Sequence, residues 1–152
     1  MTTRYVLMVA LDLDTGFTVG LTKLKGPSFL LKKVTFPGGK MEGTETPQQA
    51  AEREMFEETG LSIDAAQWHL YETVRGEGYE LFKLVALSSK VLHARTREEE
   101  PVWHLAIQSH KEYAQRQPEQ YAPDFLSTLD AALAYAQQLT EMQEFAETAV
   151  PA

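Results

Sequence analysis

The chain has 152 residues, of which 43% are hydrophobic, so we expect residues 1–152 to form one ordinary globular domain with its own core. The net charge of −8, from 22 acidic and 14 basic residues, argues against a surface for polymeric nucleic acid, because such surfaces need clustered cations. The chain contains no cysteine, which excludes disulfides, thiolate nucleophiles and cysteine-ligated zinc.

Two strands joined by a tight turn are the first predicted elements. The segment RYVLMVALDLDTGFTVGLTKLK is rich in Val, Leu, Phe and Tyr and is interrupted by Asp14-Thr15-Gly16. Its apolar run, from Tyr5 to Leu11, is too short to span a membrane and lacks the pattern of a signal peptide. We therefore expect a cytoplasmic protein that does not associate with membranes.

A helix from Pro47 to Thr59 is bounded by clear local signals. Thr46 is a hydroxyl N-cap, Pro47 suits the first helical position, and Gln49 completes a capping box. Gly60 is the expected stop, because the left-handed position after a helix favours glycine.

The second half of the chain predicts a mixture of strands and helices. A hairpin is expected around Gly76-Glu77-Gly78, followed by one short strand in VWHLAI. The apolar spacing from Pro123 to about Met142 predicts an amphipathic helix, and about ten residues at the C-terminus are expected to fray. Because the β-α alternation is irregular, the predicted fold class is α+β, with helices packed on a mixed sheet.

Three glutamates lie on one side of the predicted helix. Glu54, Glu57 and Glu58 share an arc about 100° wide. Like charges at these spacings repel by ~0.2–0.5 kcal/mol per pair, so the cluster is either a merely solvated face or a site for a divalent cation. The preceding Gly38-Gly39 pair allows the backbone to approach a metal or a phosphate closely. Since no EF-hand spacing is present, Mg²⁺ or Mn²⁺ is favoured over Ca²⁺.

The stretch from Gly39 to Leu61 resembles the signature of the Nudix hydrolases, G-x5-E-x7-R-E-U-x-E-E-x-G-U, where U is aliphatic. The fixed positions are all met, by Gly39, Glu45, Arg53, Glu54, Met55, Glu57, Glu58, Gly60 and Leu61. The resemblance implies a Nudix fold, in which a mixed β-sheet is sandwiched between α-helices. It also implies metal-dependent hydrolysis of a nucleoside diphosphate linked to another moiety.

The same resemblance assigns roles to single residues. The groups implied to hold Mg²⁺ or Mn²⁺ are Glu54, Glu57, Glu58 and the Gly38 carbonyl. Glu54 is the favoured general base, and Glu57 is the alternative. Arg53 is implied to position the loop-helix-loop by pairing with Glu45. The positions that serve the structure of the motif are Gly39, Glu45 and Gly60.

The residues around the motif bear on the substrate. The lead-in FLLKKVTFPGG is similar to that of nucleoside triphosphate pyrophosphohydrolases, which implies a (deoxy)nucleoside triphosphate cleaved to the monophosphate and pyrophosphate. The implied substrate contacts are Lys40, Thr35, which stands where some of these enzymes have a base-binding Asn, and Asp124 in YAPDF. For Asp124, the alternative is an acid that favours a helix N-terminus.

Other interpretations remain open. ADP-ribose hydrolases of the family carry a downstream proline where this chain has Gly76, which argues against ADP-ribose. Dinucleoside polyphosphate hydrolases carry a tyrosine where this chain has Gly78, beside Tyr79. A Nudix-fold module that binds a nucleotide without cleaving it is the non-enzymatic alternative, although such modules usually lose the motif. The acidic residues 98–100 either supply one more carboxylate to the metal or form a solvated run of charges. We expect a small-molecule nucleotide as partner and a monomer or homodimer.

Overall fold

The computed structural model describes residues 1–151, within which one seven-stranded mixed sheet packs with three α-helices. The strands are β1 (Thr3–Asp12), β2 (Phe17–Thr22), β3 (Val34–Thr35), β4 (Gly38–Lys40), β5 (His69–Gly76), β6 (Tyr79–Leu87) and β7 (Val102–Ala106). The helices are α1 (Pro47–Thr59), α2 (Ile107–Arg116) and α3 (Phe125–Thr148).

The sheet is built around β1, which runs parallel to β6 and antiparallel to β2 and β4. The strand order is β3-β2-β1-β6-β5, with β7 paired to β2. Both predicted hairpins are present. In the first turn, Asp12 Oδ1 accepts the N–H groups of Asp14 and Thr15 at 3.1 and 3.2 Å, and Gly16 has a φ of 77°. The turn therefore forms from local side-chain chemistry and a glycine in the left-handed region.

Each face of the sheet carries its own apolar core, because side chains alternate along β1. Met8 packs with Met55 of α1 on one face. Val9 packs with Phe125 of α3 on the other face, where α2 also contributes. The sheet is therefore sandwiched between α1 and the α2–α3 pair, and the predicted α+β class is confirmed.

Helix α1 has the predicted limits and the predicted caps. Thr46 Oγ1 accepts the N–H of Gln49 at 3.1 Å, and Gln49 Oε1 accepts the N–H of Thr46 at 2.9 Å. Gly60 ends the helix with a φ of 78°. These local bonds fix where the glutamate cluster starts and stops relative to the glycine turn.

Helix α2 was not predicted from the sequence. It follows β7 directly, its N-cap Ala106 makes no side-chain hydrogen bond, and only Ile107 and Ala114 in it are buried. The segment lacks a capping signal, and on its covered side the polar residues His110 and Lys111 stand between Ile107 and Ala114, so the apolar stripe is interrupted. Packing against α3 and the core of that face decides its conformation.

Helix α3 extends further than predicted. It ends at Thr148, beyond Met142, so helical structure continues where fraying was expected. Neither glycine nor proline interrupts the sequence between Pro123 and Pro151, which is why the helix is not stopped earlier. Its last turns are exposed, with Phe145 at 74% of its full accessible surface. In residues 1–151 we find no helix with the length and apolar character needed to cross a membrane.

Candidate active site

The glycine turn brings the motif helix and the edge of the sheet together. The Gly38 N–H donates to Glu58 Oε2 at 3.1 Å. A Cβ atom at position 39 would lie 2.5 Å from the carboxyl carbon of Glu54, so glycine is needed there for the Glu54 carboxylate to keep its place. The pair of glycines thus lets backbone and carboxylates approach as closely as the motif requires.

Arg53 organises the acidic side of α1. Its Nε and Nη2 atoms donate to the two oxygens of Glu45 at 2.7 and 2.9 Å, and Nη2 also donates to the Lys40 carbonyl oxygen at 3.0 Å. Its Nη1 lies 3.0 Å from Glu54 Oε1 and 3.2 Å from Glu57 Oε2. The hydrogen bond with Glu45 is the main reason that the pKa of Arg53 is raised. Arg53 therefore stays charged and ties the loop to the helix.

The three motif glutamates differ in burial. Glu57 is exposed, whereas Glu54 and Glu58 are partly buried. Burial raises the pKa of Glu58 to about 8, with a smaller contribution from the neighbouring charge of Glu54. Burial also raises the pKa of Glu54, against the opposing effect of Arg53. Two desolvated carboxylates side by side are unfavourable, and a divalent cation would compensate both.

Each of these three carboxylates is held through one oxygen only. Arg53 binds Glu54 Oε1 and Glu57 Oε2, and the Gly38 N–H binds Glu58 Oε2. Hard oxygen ligands of this kind are the donors that Mg²⁺ and Mn²⁺ prefer, so the residues fit a divalent ion by their chemistry. Within residues 1–151, however, no group of three or more His, Asp or Glu side chains is arranged so as to hold a metal ion. In this structure, hydrogen bonds from Arg53 and Gly38 set the positions of the three glutamate side chains.

The acidic loop before β7 lies beside the same helix. Glu100 Oε2 accepts the Leu24 N–H at 2.7 Å, and Glu100 Oε1 lies 3.4 Å from Lys23 Nζ. Burial is the main cause of the raised pKa of Glu54, and the charge of Glu98 adds to it. Glu100 fastens the lysine-rich loop after β2 to the loop before β7. Burial is the main cause of the raised pKa of Glu58, and the charge of Glu100 adds to it, so this loop lies within electrostatic reach of the motif.

Two of the predicted substrate contacts lie near the glycine turn but differ in exposure. Lys40 is exposed at the end of β4, and its carbonyl oxygen accepts a hydrogen bond from Arg53. Thr35 is 8% exposed in β3, opposite Leu21 of β2. An exposed lysine is accessible to a bound anion, whereas the side chain of Thr35 is largely covered.

Asp124 lies directly before α3 but does not cap it through its side chain. Its Oδ2 atom is 3.4 Å from Nζ of Lys83, a residue that is 5% exposed on β6. Lys83 Nζ also lies 3.5 Å from Glu72 Oε1 and donates to Thr128 Oγ1 at 2.9 Å. Lys83 was not among the functional residues predicted from the sequence; the available signal was a lysine within the apolar run of the strand YELFKLVAL.

The comparison with family models identifies the class of protein that this fold and site define. The model described as NUDIX domain matches residues 1–129, and the chain therefore belongs to the NUDIX family. Members of this family are typically pyrophosphohydrolases. The resemblance found in the sequence is confirmed. Among curated proteins, no sequence matches this chain significantly.

Solved structures of NUDIX proteins are similar to this chain at low sequence identity and support the fold alone. The NUDIX domain of Shewanella oneidensis NrtR, complexed with ADP ribose, is 16% identical with a TM-score of 0.69, covering 90% of this chain and 89% of that chain. A Francisella tularensis bifunctional NMN adenylyltransferase/ADP ribose pyrophosphatase, complexed with AMP and Mn ion, is 15% identical with a TM-score of 0.70, covering 89% and 42%. A MutT/nudix family protein from Enterococcus faecalis is 16% identical with a TM-score of 0.59, covering 68% and 43%. This chain therefore spans less than half the length of the last two proteins.

Proposed function

We propose that the protein is a divalent-metal-dependent hydrolase of a nucleoside diphosphate linked to another moiety, with a (deoxy)nucleoside triphosphate as substrate. The products are the nucleoside monophosphate and pyrophosphate. The observation that carries this proposal is the complete motif, in which Arg53 and Gly38 each hold motif carboxylates by a single oxygen. A binding module without activity has no need for three mutually repelling acids, two of which are partly buried.

In the proposed site the ion is bound by the Gly38 carbonyl and by the carboxylates of Glu54, Glu57 and Glu58. When bound, Mg²⁺ or Mn²⁺ supplies neutralisation of the phosphate oxygens and activation of water. Other residues of the chain position these carboxylates. Arg53 holds Glu54 and Glu57 in position through Nη1. Gly39 leaves the space in which the Glu54 carboxylate lies.

Hydrolysis to the monophosphate and pyrophosphate joins a water oxygen to one phosphorus of the α–β phosphoanhydride, breaks that anhydride P–O bond and releases a proton to a base. We assign that base to Glu54, with Glu57 as the alternative. Glu54 Oε1 is engaged by Arg53, which leaves Oε2 either to accept the proton or to bind the ion. Burial raises the pKa of Glu54, so its carboxylate is a stronger base than an exposed glutamate.

The choice of substrate rests on three features outside the helix. The lead-in to the motif is similar to that of triphosphate pyrophosphohydrolases, and Gly76 stands where ADP-ribose hydrolases have proline. The Asp124 side chain is 46% exposed and so is accessible to a ligand. Lys40 is exposed beside the motif and would attract a phosphate. One of the similar structures, the NUDIX domain of NrtR, is complexed with ADP ribose, so that compound belongs in the test.

A panel of canonical and oxidised nucleoside triphosphates, dinucleoside polyphosphates, nucleotide sugars and ADP-ribose tests the proposal, with products identified by mass spectrometry. We expect purine deoxynucleoside triphosphates to give the monophosphate and pyrophosphate with a higher kcat/KM than ADP-ribose. Faster cleavage of a dinucleoside polyphosphate would support the alternative hydrolase. Binding of nucleotides with no cleavage of any compound would support the binding module.

Asp124→Ala is expected to lower kcat/KM for the preferred base by the equivalent of about 1–3 kcal/mol, because a polar contact to the base would be lost. If Asp124 only favours the start of α3, the same change should cost at most ~1 kcal/mol of stability and leave base preference unchanged. Measuring kcat/KM for several bases beside a thermal melt separates the two. An equal loss for all bases, or no loss, would contradict a role in base recognition.

A further inference from the structure

Lys83 is an unusual residue for its position in the sheet. It lies on β6, which pairs with β1 and β5, and it is 5% exposed. Its neighbours along the strand, such as Leu84 and Val85, belong to the two apolar cores. A lysine is almost never buried this deeply unless its charge is paired. Here the ammonium group is paired with two carboxylates and one hydroxyl group.

The three partners of Lys83 come from two parts of the chain: Glu72 is its cross-strand neighbour on β5, and Asp124 and Thr128 lie at the start of α3, about forty residues further on. Glu72 Oε1 lies 3.5 Å from Nζ, Asp124 Oδ2 lies 3.4 Å from it, and Thr128 Oγ1 accepts from it at 2.9 Å. The lysine side chain is 6% exposed, whereas the side chains of Glu72 and Asp124 are 47% and 46% exposed. The cation is therefore covered, and the anions it holds reach the surface.

Stability alone is a weak explanation for this arrangement. Replacing a buried ion pair by well-packed apolar residues is often neutral or stabilising, because the desolvation cost of the charges offsets their attraction. An apolar residue at position 83 would fit the surrounding strand equally well. What an apolar residue would not do is hold Asp124, whose Oδ1 atom makes no hydrogen bond in residues 1–151.

The position of Lys83 in the sheet relates it to the motif. Lys83 is opposite Leu7 on β1, and Leu7 is opposite Gly38 on β4. Neighbouring strands are about 4.8 Å apart, so Lys83 and Gly38 stand two strand spacings, about 10 Å, from one another. That separation is the size of a nucleoside monophosphate. Lys83 and Asp124 lie on the face of the sheet that carries α3, whereas Glu58 lies on α1 at the other face. A ligand with its phosphates at the Gly38–Glu58 contact would reach Asp124 by passing around β4, which pairs with β1 alone.

We propose that Lys83 is a positioning residue for substrate selection, which fixes the Asp124 carboxylate so that its second oxygen accepts a hydrogen bond from the base of the ligand. Glu72 completes the pairing of the ammonium group from the other side. This inference rests on the proposed function in so far as the ligand is a nucleotide, but it does not require that the nucleotide be hydrolysed.

Calorimetric binding of the four common deoxynucleoside monophosphates, together with kcat/KM for the triphosphates, tests the inference in the full chain. We expect Lys83→Met to reduce the ratio of affinities between the best and worst base about tenfold. Asp124→Ala should have the same effect, and the double variant should lose nothing further, because both changes remove one interaction. Lys111→Met is the matched control. It breaks the pair with Asp130, 3.2 Å apart, in which Lys111 is partly exposed and Asp130 exposed, and should leave base preference unchanged.

Unchanged base preference in Lys83→Met, with only a lower melting temperature, would overturn the inference, as would independent effects of the two single changes. If Lys83→Met does not fold, the Thr128→Val variant tests the inference instead. It preserves shape, removes the hydroxyl acceptor of Lys83 and should weaken base preference in part; no change would overturn the inference. Hydrolysis without base preference also overturns it and leaves the hydrolase proposal intact. Base-selective binding without hydrolysis would support the inference and contradict the hydrolase proposal.

Discussion

Hydrolysis by this protein is expected to stop when divalent ions are removed, with a fall in rate of roughly a thousandfold or more that added Mg²⁺ or Mn²⁺ reverses. The reason lies in the donors at the end of α1. Glu54 and Glu58 are partly buried carboxylates whose pKa values are raised by burial, and they need a compensating positive charge when ionised. Activity should be measured after exhaustive chelation and during titration with each metal.

A second measurement makes this prediction independent of turnover. A metal that binds only the folded chain raises its melting temperature in proportion to the logarithm of its concentration. We expect Mg²⁺ to stabilise the wild-type protein and to stabilise Glu58→Gln less. Full turnover after chelation, together with a melting temperature that does not respond to metal, would contradict the metal-dependent mechanism.

Glu57→Gln and Glu58→Gln are each expected to lower kcat by on the order of a hundredfold, because each removes an anionic ligand while preserving shape. Both variants should fold, since Glu57 is exposed, and Glu58 makes a single hydrogen bond, from Gly38, while glutamine keeps the shape that fills its partly buried position. Glu144→Gln, on the exposed end of α3, is the matched control and should keep the wild-type rate. Wild-type kcat in either site variant would show that its ligand assignment is wrong.

The stability of Glu58→Gln provides a separate check on the burial of that carboxyl group. Burial raises the pKa of Glu58 to about 8, so the folded chain holds the proton more tightly than the unfolded chain. The stabilisation from that proton is present at low pH and is lost as the pH rises through the folded pKa. Glutamine does not ionise. Without metal, the variant should therefore melt at or above the wild-type temperature, with a difference that grows between about pH 4.5 and pH 8 and stays constant at higher pH. A large drop would indicate a structural role instead.

The glutamate helix and its limits could be predicted from the sequence because every determinant is local. Thr46 and Gln49 cap each other across one helical turn, and Gly60 ends the helix within the same segment. The helical period alone places three acidic residues on one side. The family motif and the two hairpins have the same origin, since their signals lie within a few consecutive residues. The α+β fold class followed from the irregular alternation of the predicted strands and helices along the chain.

The tertiary structure decided which of these charges are buried and what holds them. Glu58 lies under the Gly38 turn while Glu57 faces solvent, a difference that depends on where β4 lies against β1. Helix α2 forms against α3 without a strong signal of its own. Lys83 and Asp124 are brought together only when β6 packs under the start of α3. Sequence patterns report each residue's local preference, whereas burial and ion pairing arise between segments that packing brings together, so they are decided only when the chain folds.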